Sequence, residues 1–210
     1  HKTQSAGNRR TFTISWWVKR SALSASQSII GSDPDASHGN NYFIFEFSND
    51  DKIKIFSRTG GADKLVASTG NLFRDPNAWM HVVFQADTDN PAQVDRVKLW
   101  INGKRVSLSF STAPAQYAEL YWLTAGATHK IGHAALDGAG DFNGYIADVQ
   151  FMDGLALSPA AFGEYDSTGV WNPKAFALPA PNANTTWSSD ITTESGSYHA
   201  TGAAVNLFDG

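Results

Sequence analysis

The chain has 210 residues, of which 42% are hydrophobic and only 17% charged, enough apolar material for a sizeable core and too much for a disordered chain. A formal net charge of -4 gives nucleic acid no electrostatic reason to bind. Zero Cys excludes disulfides and thiolate metal sites, and no apolar run approaches the roughly 20 residues of a membrane span, nor is a signal peptide visible.

The polar opening, ending Gly7-Asn8-Arg9-Arg10, reads as a solvated loop. From Thr11 to Lys19 the residues alternate, with Phe12, Ile14, Trp16 and Val18 on one side and Thr13, Ser15, Trp17 and Lys19 on the other. That is a strand with Trp17 facing away from the main apolar row. Ser28 to Gly31 is a short buried strand after a small-residue linker. The loop Asp33 to Asn41 is rich in side-chain oxygens; calcium needs six to eight oxygen ligands, yet Asp-Pro and Gly-Asn are also ordinary turn formers. Tyr42 to Phe47 places Phe43, Phe45 and Phe47 on one face, and Lys52 to Phe56 returns as a hairpin after Asn49-Asp50-Asp51. A Gly-Gly loop, Arg58 to Asp63, leads to a short strand over Leu65 to Ala67, and Leu72-Phe73 precedes the Asp75-Pro76-Asn77 turn.

The strongest signal is Trp79 to Lys104. Trp79, His81 and Val83 share one side of a strand, and Met80, Val82 and Phe84 the other, so that strand is expected at the centre of a sheet covered on both faces. Val97, Leu99 and Ile101 face the core, with Arg96, Lys98 and Trp100 opposite. Asn102-Gly103 supplies the positive φ angles of a tight hairpin into Val106. Thr112 to Thr128 resists assignment but carries Tyr117, Tyr121 and Trp122, a cluster that either caps the core or forms a contact surface. Lys130 to Gly132 reads as a short strand.

Phe142 to Met152 is the last long strand. Ile146 is out of phase with Val149 and Phe151, and an extra residue near Ala147-Asp148 restores the phase, as a β-bulge does. Ser158-Pro159-Ala160-Ala161-Phe162 reads as a short helix with Ser as its cap. Leu178 to Asn184 is a linker, which divides the chain into a sandwich over 1–178 and a linker with the start of a further segment over 179–210. Many short strands with frequent turns define an all-β, jelly-roll sandwich of two antiparallel sheets.

Catalytic patterns are sparse. The four Glu (Glu46, Glu119, Glu164 and Glu194) are solitary, and no Glu-x-Asp or Asp-x-Glu pair offers the two carboxyls, roughly 5 Å apart, of a retaining glycosidase. His129 and His133 are too far apart along a strand, about 13 Å, to share a metal. Gly138-Ala139-Gly140-Asp141 is followed by strand rather than helix, which makes it a turn and not a phosphate loop. Asn184-Thr185-Thr186 fits the glycosylation pattern.

Three blocks together resemble laminin-G-like domains of the concanavalin A-like lectin/glucanase superfamily. They are Phe12 to Lys19, then Trp79 to Val83 with Val97 to Gly103, then Ile131-Gly132 with Phe142 to Val149. A narrower resemblance, to bacteriophage virion proteins, rests on Ser5 to Arg10, Leu72 to Pro76, and Phe162-Gly163-Glu164 with Thr168 to Lys174. In those proteins one more strand precedes Ser5. The resemblance implies that this chain, which begins at His1 without Met, is an excerpt of a virion structural or fibre protein. An unpaired sheet edge is expected where that strand would lie, for a partner chain to fill.

The resemblance implies a particle-surface location and contacts with other virion proteins, with homo-oligomers in a fibre. It further implies either adhesion to a host glycan or surface protein or, alternatively, a structural or decorating role. Glycan hydrolysis is the third reading, against which the missing acid pair weighs. Ca²⁺ is the one cofactor to consider, with Asp33 and Asp35, or Asp137 and Asp141, in loops suited to it. Candidate ligand contacts are Trp17 and Trp100 on outer strand faces and Tyr121-Trp122 in a loop, because aromatic faces stack on sugar rings and anchor interfaces alike. For all four aromatics the competing expectation is a second core layer beneath a long loop.

Overall fold

The structure, a computed structural model, describes residues 5–34, 39–133 and 140–177 with their side chains, and 204–206 as backbone. Asp35, Asp137, Asn184 and the proposed boundary at 178 lie outside the described residues.

Among the described residues two large sheets face each other. The first contains β2 (Gln27–Asp33), β3 (Tyr42–Phe47), β4 (Ile53–Thr59) and β5 (Ala62–Thr69), paired in that order. β9 (Leu108–Thr112) closes one edge, and β10 (Thr128–Ile131) and the two-residue β11 (Gly140–Asp141) both flank β2. The second sheet runs β12 (Gly144–Asp153), β1 (Thr11–Arg20), β6 (Met80–Asp87), β7 (Val97–Ile101) and β8 (Lys104–Val106). β15 (Ala204–Asn206) pairs antiparallel with the outer side of β12, opposite Gln150–Met152, so part of this edge is filled by the chain's own backbone. A small hairpin, β13 (Gly163–Tyr165) and β14 (Trp171–Pro173), lies outside both sheets.

The core is the space between the sheets, and aromatic rings fill it. Phe12, Ile14, Trp16 and Val18 point inward from β1 and meet Phe43, Phe45 and Phe47 of β3, all fully buried. Phe45 lies edge-on to Phe84 at 4.9 Å and to Trp16 at 5.0 Å, close to the favoured geometry for aromatic quadrupoles. β6 sits between β1 and β7 and is buried on both faces, as its two apolar sides predict. Asn102 and Gly103 take φ of 49° and 75°, the left-handed pair that a two-residue hairpin requires.

The bulge lies where the phase slip places it. Ser15 pairs with Gln150 and Trp17 with Ala147, so Asp148 and Val149 both stand opposite Trp16. Asp148 takes φ 48°, and the extra residue lets Ile146, Val149 and Phe151 all face the core.

At one end of the sandwich, Arg20 at the last position of β1 is fully buried against Asp51, Nη2 to Oδ1 at 3.0 Å. Arg20 also donates to Phe73 O at 2.6 Å and lies 4.3 Å from the Phe47 ring centre. Asp51 accepts from Ser24 N at 2.7 Å and Arg74 Nε at 2.8 Å. The network ties the β1–β2 loop, the β3–β4 turn and the segment before β6 together. The Ser24 N–H, with both arginines, keeps the Asp51 carboxyl below its ordinary range against the opposing effect of burial.

Three expectations need correction. The segment after Ser158 is a single 3-10 turn, Pro159–Ala161, and the Ser158 side chain makes no capping bond. A second such turn, Gln93–Asp95, precedes β7. The Gly60-Gly61 link is a tight turn between strands that run to Thr59 and from Ala62, so both strands are longer than their apolar centres suggest. Ile101 is only half-buried, because β7 is followed by the edge strand β8 and its end is open.

Candidate functional site

The outer face of the second sheet is organised by one cross-strand row. Trp17 of β1 pairs with His81 of β6, and their rings stack at 5.0 Å. Residues 155–176 then return across this face as a strap. Thr13 Oγ1 donates to Leu155 O at 2.7 Å and accepts from Leu157 N at 2.8 Å, while Gln85 Nε2 donates to Leu157 O at 3.2 Å. Phe162, buried beside Val83 and Met152, stacks on Phe176 at 5.5 Å, and Trp100 packs at the margin of this small second core.

Trp171 is the far anchor of the strap. Its indole N–H donates to His81 Nδ1 at 3.0 Å, and its ring stacks on the imidazole at 5.9 Å. The indole fits a slot that only glycine leaves open. A Cβ on Gly103 would fall 2.5 Å from Trp171 Cζ3, and one on Gly163 2.5 Å from Cζ2. Tyr165 completes the attachment by donating its hydroxyl to Asn102 O at 2.7 Å.

Between strap and sheet lies a cavity of about 380 Å³, within the range of small-molecule sites. Trp17, Trp79, Ile101, Asn102 and Lys104 line it from the sheet, and Tyr165, Gly169, Val170 and Trp171 from the strap. Trp79 is 41% exposed and Val170 55%, so apolar surface is presented to solvent at the mouth.

Ser15 Oγ lies 2.8 Å from His81 Nε2, which on distance alone suggests a nucleophile and its base. The proton inventory excludes that pairing in the arrangement seen. An indole N–H only donates, so Nδ1 must be the acceptor and Nε2 carries the hydrogen. His81 therefore donates to Ser15 and has no lone pair free to take its proton. Both side chains are fully buried, and burial lowers the His81 pKa to about 4. The pair is a structural fastener.

The predicted site residues divide. Trp17 is half-buried in the cavity wall, and Trp100 is half-buried under the strap. Tyr121 and Trp122 do not form a surface contact site. Trp122 is 4% exposed, edge-on to Phe43 at 5.4 Å and 4.4 Å from His129. The 112–128 segment folds across the end of the core, which Tyr121 and Trp122 fill, while Tyr117 stays 60% exposed. Among the acids, Asp33 is buried with Lys130 Nζ at 2.8 Å, and Asp141 is exposed with His133 Nδ1 at 2.7 Å. Asp141 stands beside Ser28, five residues along β2 from Asp33, or roughly 16 Å. The expected pairs, Asp33 with Asp35 and Asp137 with Asp141, each include a residue outside the described residues. Among the described residues no three metal-ligating side chains converge. Glu46, on the outer face of the first sheet, has its pKa raised by burial despite Lys54 opposite.

Sequence reasoning missed Trp79, Lys104, Tyr165 and Trp171. Trp79 was within reach, since it shares the face of His81 that meets Trp17. The strap residues were not, because nothing local in Val170-Trp171-Asn172 states which distant surface they cover.

A family model described as concanavalin A-like lectin/glucanases superfamily matches residues 2–161. No curated protein sequence is similar enough to count as a relative. Similar solved structures include the CBM40 module of the Ruminococcus gnavus IT-sialidase bound to α2,3 sialyllactose, at TM-score 0.53 and 16% identity over 75% of this chain and 81% of that one. A heptameric SAP-like pentraxin from Limulus polyphemus matches at 0.50 and 17%, over 74% and 69%. Mouse laminin α1 domains LG4-5 match at 0.50 and 14%, over 86% and 45%. At these identities the likeness is one of fold. With the family model covering most of its length and the fold agreeing, this chain belongs to the concanavalin A-like lectin/glucanases superfamily.

Proposed function

We propose that this chain is a non-catalytic binding module of a bacteriophage virion protein, carried on the particle surface, that recognises a glycan of the host. The observation that carries the reading is the solvent-open, aromatic-lined cavity between sheet and strap. Indole and phenol faces offer apolar area with little side-chain entropy to lose, which suits the C–H face of a pyranose. A related fold that binds sialyllactose, the R. gnavus module, supports the same class of role. The Ser15–His81 pair, wired for structure, lends hydrolysis no support.

A purely structural role is the competing reading. It would use outer aromatics such as Trp100 for virion neighbours, and the chain's own strap already packs against part of that residue. A shallow single site binds weakly, because ordering costs offset much of the contact energy. A fibre presenting several copies raises avidity by about 10²–10⁴.

The test is fluorescent labelling of susceptible host cells by a multimerised chain. The multimer is expected to label, the monomer barely to label, and Trp79→Ala to abolish labelling with the melting temperature unchanged. A multimer that labels no susceptible host leaves the structural module as the better reading.

A further inference from the structure

Resting on the glycan-binding reading, we propose that the cavity between strap and sheet takes a saccharide bearing a carboxylate or sulfate, its ring on Trp79 and its anionic group on Lys104. One wall of the site lies outside the family match. Tyr165, Val170 and Trp171 form one wall, and all lie beyond residue 161, where the family match ends.

The charges around it point to an anion. Lys104 is the charged side chain of the lining, and among the described residues it has no carboxylate within 4.0 Å. A second ammonium lies on the same sheet face. Lys19 shares the side of β1 that carries Trp17 and pairs with Tyr145 of β12. Trp79 stands one step beyond the Val18–Met80 pair, on the other side of Lys19. The Trp79 and Tyr145 rings come within 6.3 Å of each other there. Lys19 also lacks an ion-pair partner among the described residues.

Of the acids nearby, Asp166 stays ionised, its pKa lowered to about 2 by the bonds it accepts, but both of its oxygens are turned to donors of the strap itself. Asp166 Oδ1 accepts from Thr168 N, Thr168 Oγ1 and Val170 N, and Oδ2 from Asn172 Nδ2. Glu164 faces Lys174 at 3.7 Å, and Asp148 accepts from Gln150 Nε2 at 2.7 Å. The Asn102 oxygens are used as well, Oδ1 by His81 N and the carbonyl by Tyr165. What Asn102 and Lys104 offer the cavity is therefore donors, which suits an anion better than a neutral hydroxyl pair.

A solvent-accessible ammonium–anion contact discriminates by about fivefold and weakens in salt. The experiment is an array in which sialylated, uronic and sulfated oligosaccharides are each printed beside their neutral parents, probed with the multimerised chain. Dissociation constants for the best pair are then measured by tryptophan fluorescence at low and high salt. The acidic member is expected to win by up to about fivefold at low salt, and the array arms separate carboxylate from sulfate. Lys104→Gln is expected to erase the preference while leaving binding at the level of the neutral parent, and Trp79→Ala to remove binding to both, with melting temperatures unchanged. Equal binding of acidic and neutral members, or a preference that survives Lys104→Gln, overturns the acidic ligand and leaves the glycan reading standing. Binding to no glycan overturns both.

Discussion

Trp171 and His81 are joined by a 3.0 Å hydrogen bond between an indole N–H and imidazole Nδ1, linking the strap to the most buried strand of the sheet. The bond settles the tautomer of His81, directs its other hydrogen to Ser15, and holds one wall of the cavity in place. Because Trp171 lines the cavity and also reaches His81, the shape of the binding surface is tied to the integrity of a buried contact.

The glycine slot makes that coupling measurable. Gly103 and Gly60 both have positive φ, 75° and 59°, but a Cβ on Gly60 meets nothing within 4 Å. Gly60→Ala is therefore expected to cost about 1 kcal/mol for backbone strain alone. Gly103→Ala must also expel the Trp171 ring, and its cost in urea denaturation is expected to be larger by 1 kcal/mol or more, on the order of an overpacked site. It should also raise amide exchange over 163–173. Equal costs for the two variants would show that the indole is not seated as described.

The pH dependence follows from the same contact. His81 is held at about 4 in the fold, against about 6.5 when unfolded, because burial disfavours its charged form. Above pH 6.5 the residue is neutral in both states and contributes no slope. As the pH falls from 6.5 toward 4 the unfolded chain takes up the proton first, so stability declines through that window by an amount on the order of 3 kcal/mol. His129, also lowered to about 4 by burial, acts in the same window. His81→Gln is thus expected to reduce the slope of stability against pH without abolishing it. A stability curve with no slope between pH 6.5 and 4 would contradict the buried neutral imidazole.

Trp122 distinguishes core from surface. Its ring packs on Phe43, Phe151 and His129, so Trp122→Ala removes core volume and leaves a cavity. The expected cost is about 3–5 kcal/mol, matching Phe45→Ala, with a clear fall in melting temperature. Trp79→Ala, at a 41% exposed position, is expected to change stability far less. Thermal melts of the three variants side by side give the answer.

The sandwich was legible because period-two alternation fixes both strand and face. Phe12 to Val18 and Phe43 to Phe47 needed no tertiary knowledge to be placed inward, and the slip between Ile146 and Val149 placed the bulge within one residue. The site was less legible for two physical reasons. Trp122 sits in a segment without periodicity, where an aromatic looks the same whether it covers a core or awaits a ligand. Trp171 lies in a segment whose partner surface, 90 residues away at His81, is set by the path of the chain and by the absent Cβ atoms of Gly103 and Gly163.

The buried ion pair supplies the last prediction. Arg20 and Asp51 are 0% and 1% exposed, and burial depresses the Arg20 pKa while Asp51 holds it up. A buried pair costs desolvation on both sides, so its net worth is small, but removing one partner strands the other. Asp51→Ala is expected to cost about 3–5 kcal/mol, since Arg20 keeps only Phe73 O and the Phe47 ring as partners. Asp51 also has φ 62°, which Asn tolerates, so Asp51→Asn retains the turn and isolates the charge. The double variant Arg20→Met with Asp51→Asn is expected to recover much of the loss, because no buried charge is left unpaired. Chemical denaturation of the single and double variants tests this, and a double variant no more stable than Asp51→Ala would show that the network's hydrogen bonds, rather than its charges, hold this end of the sandwich together.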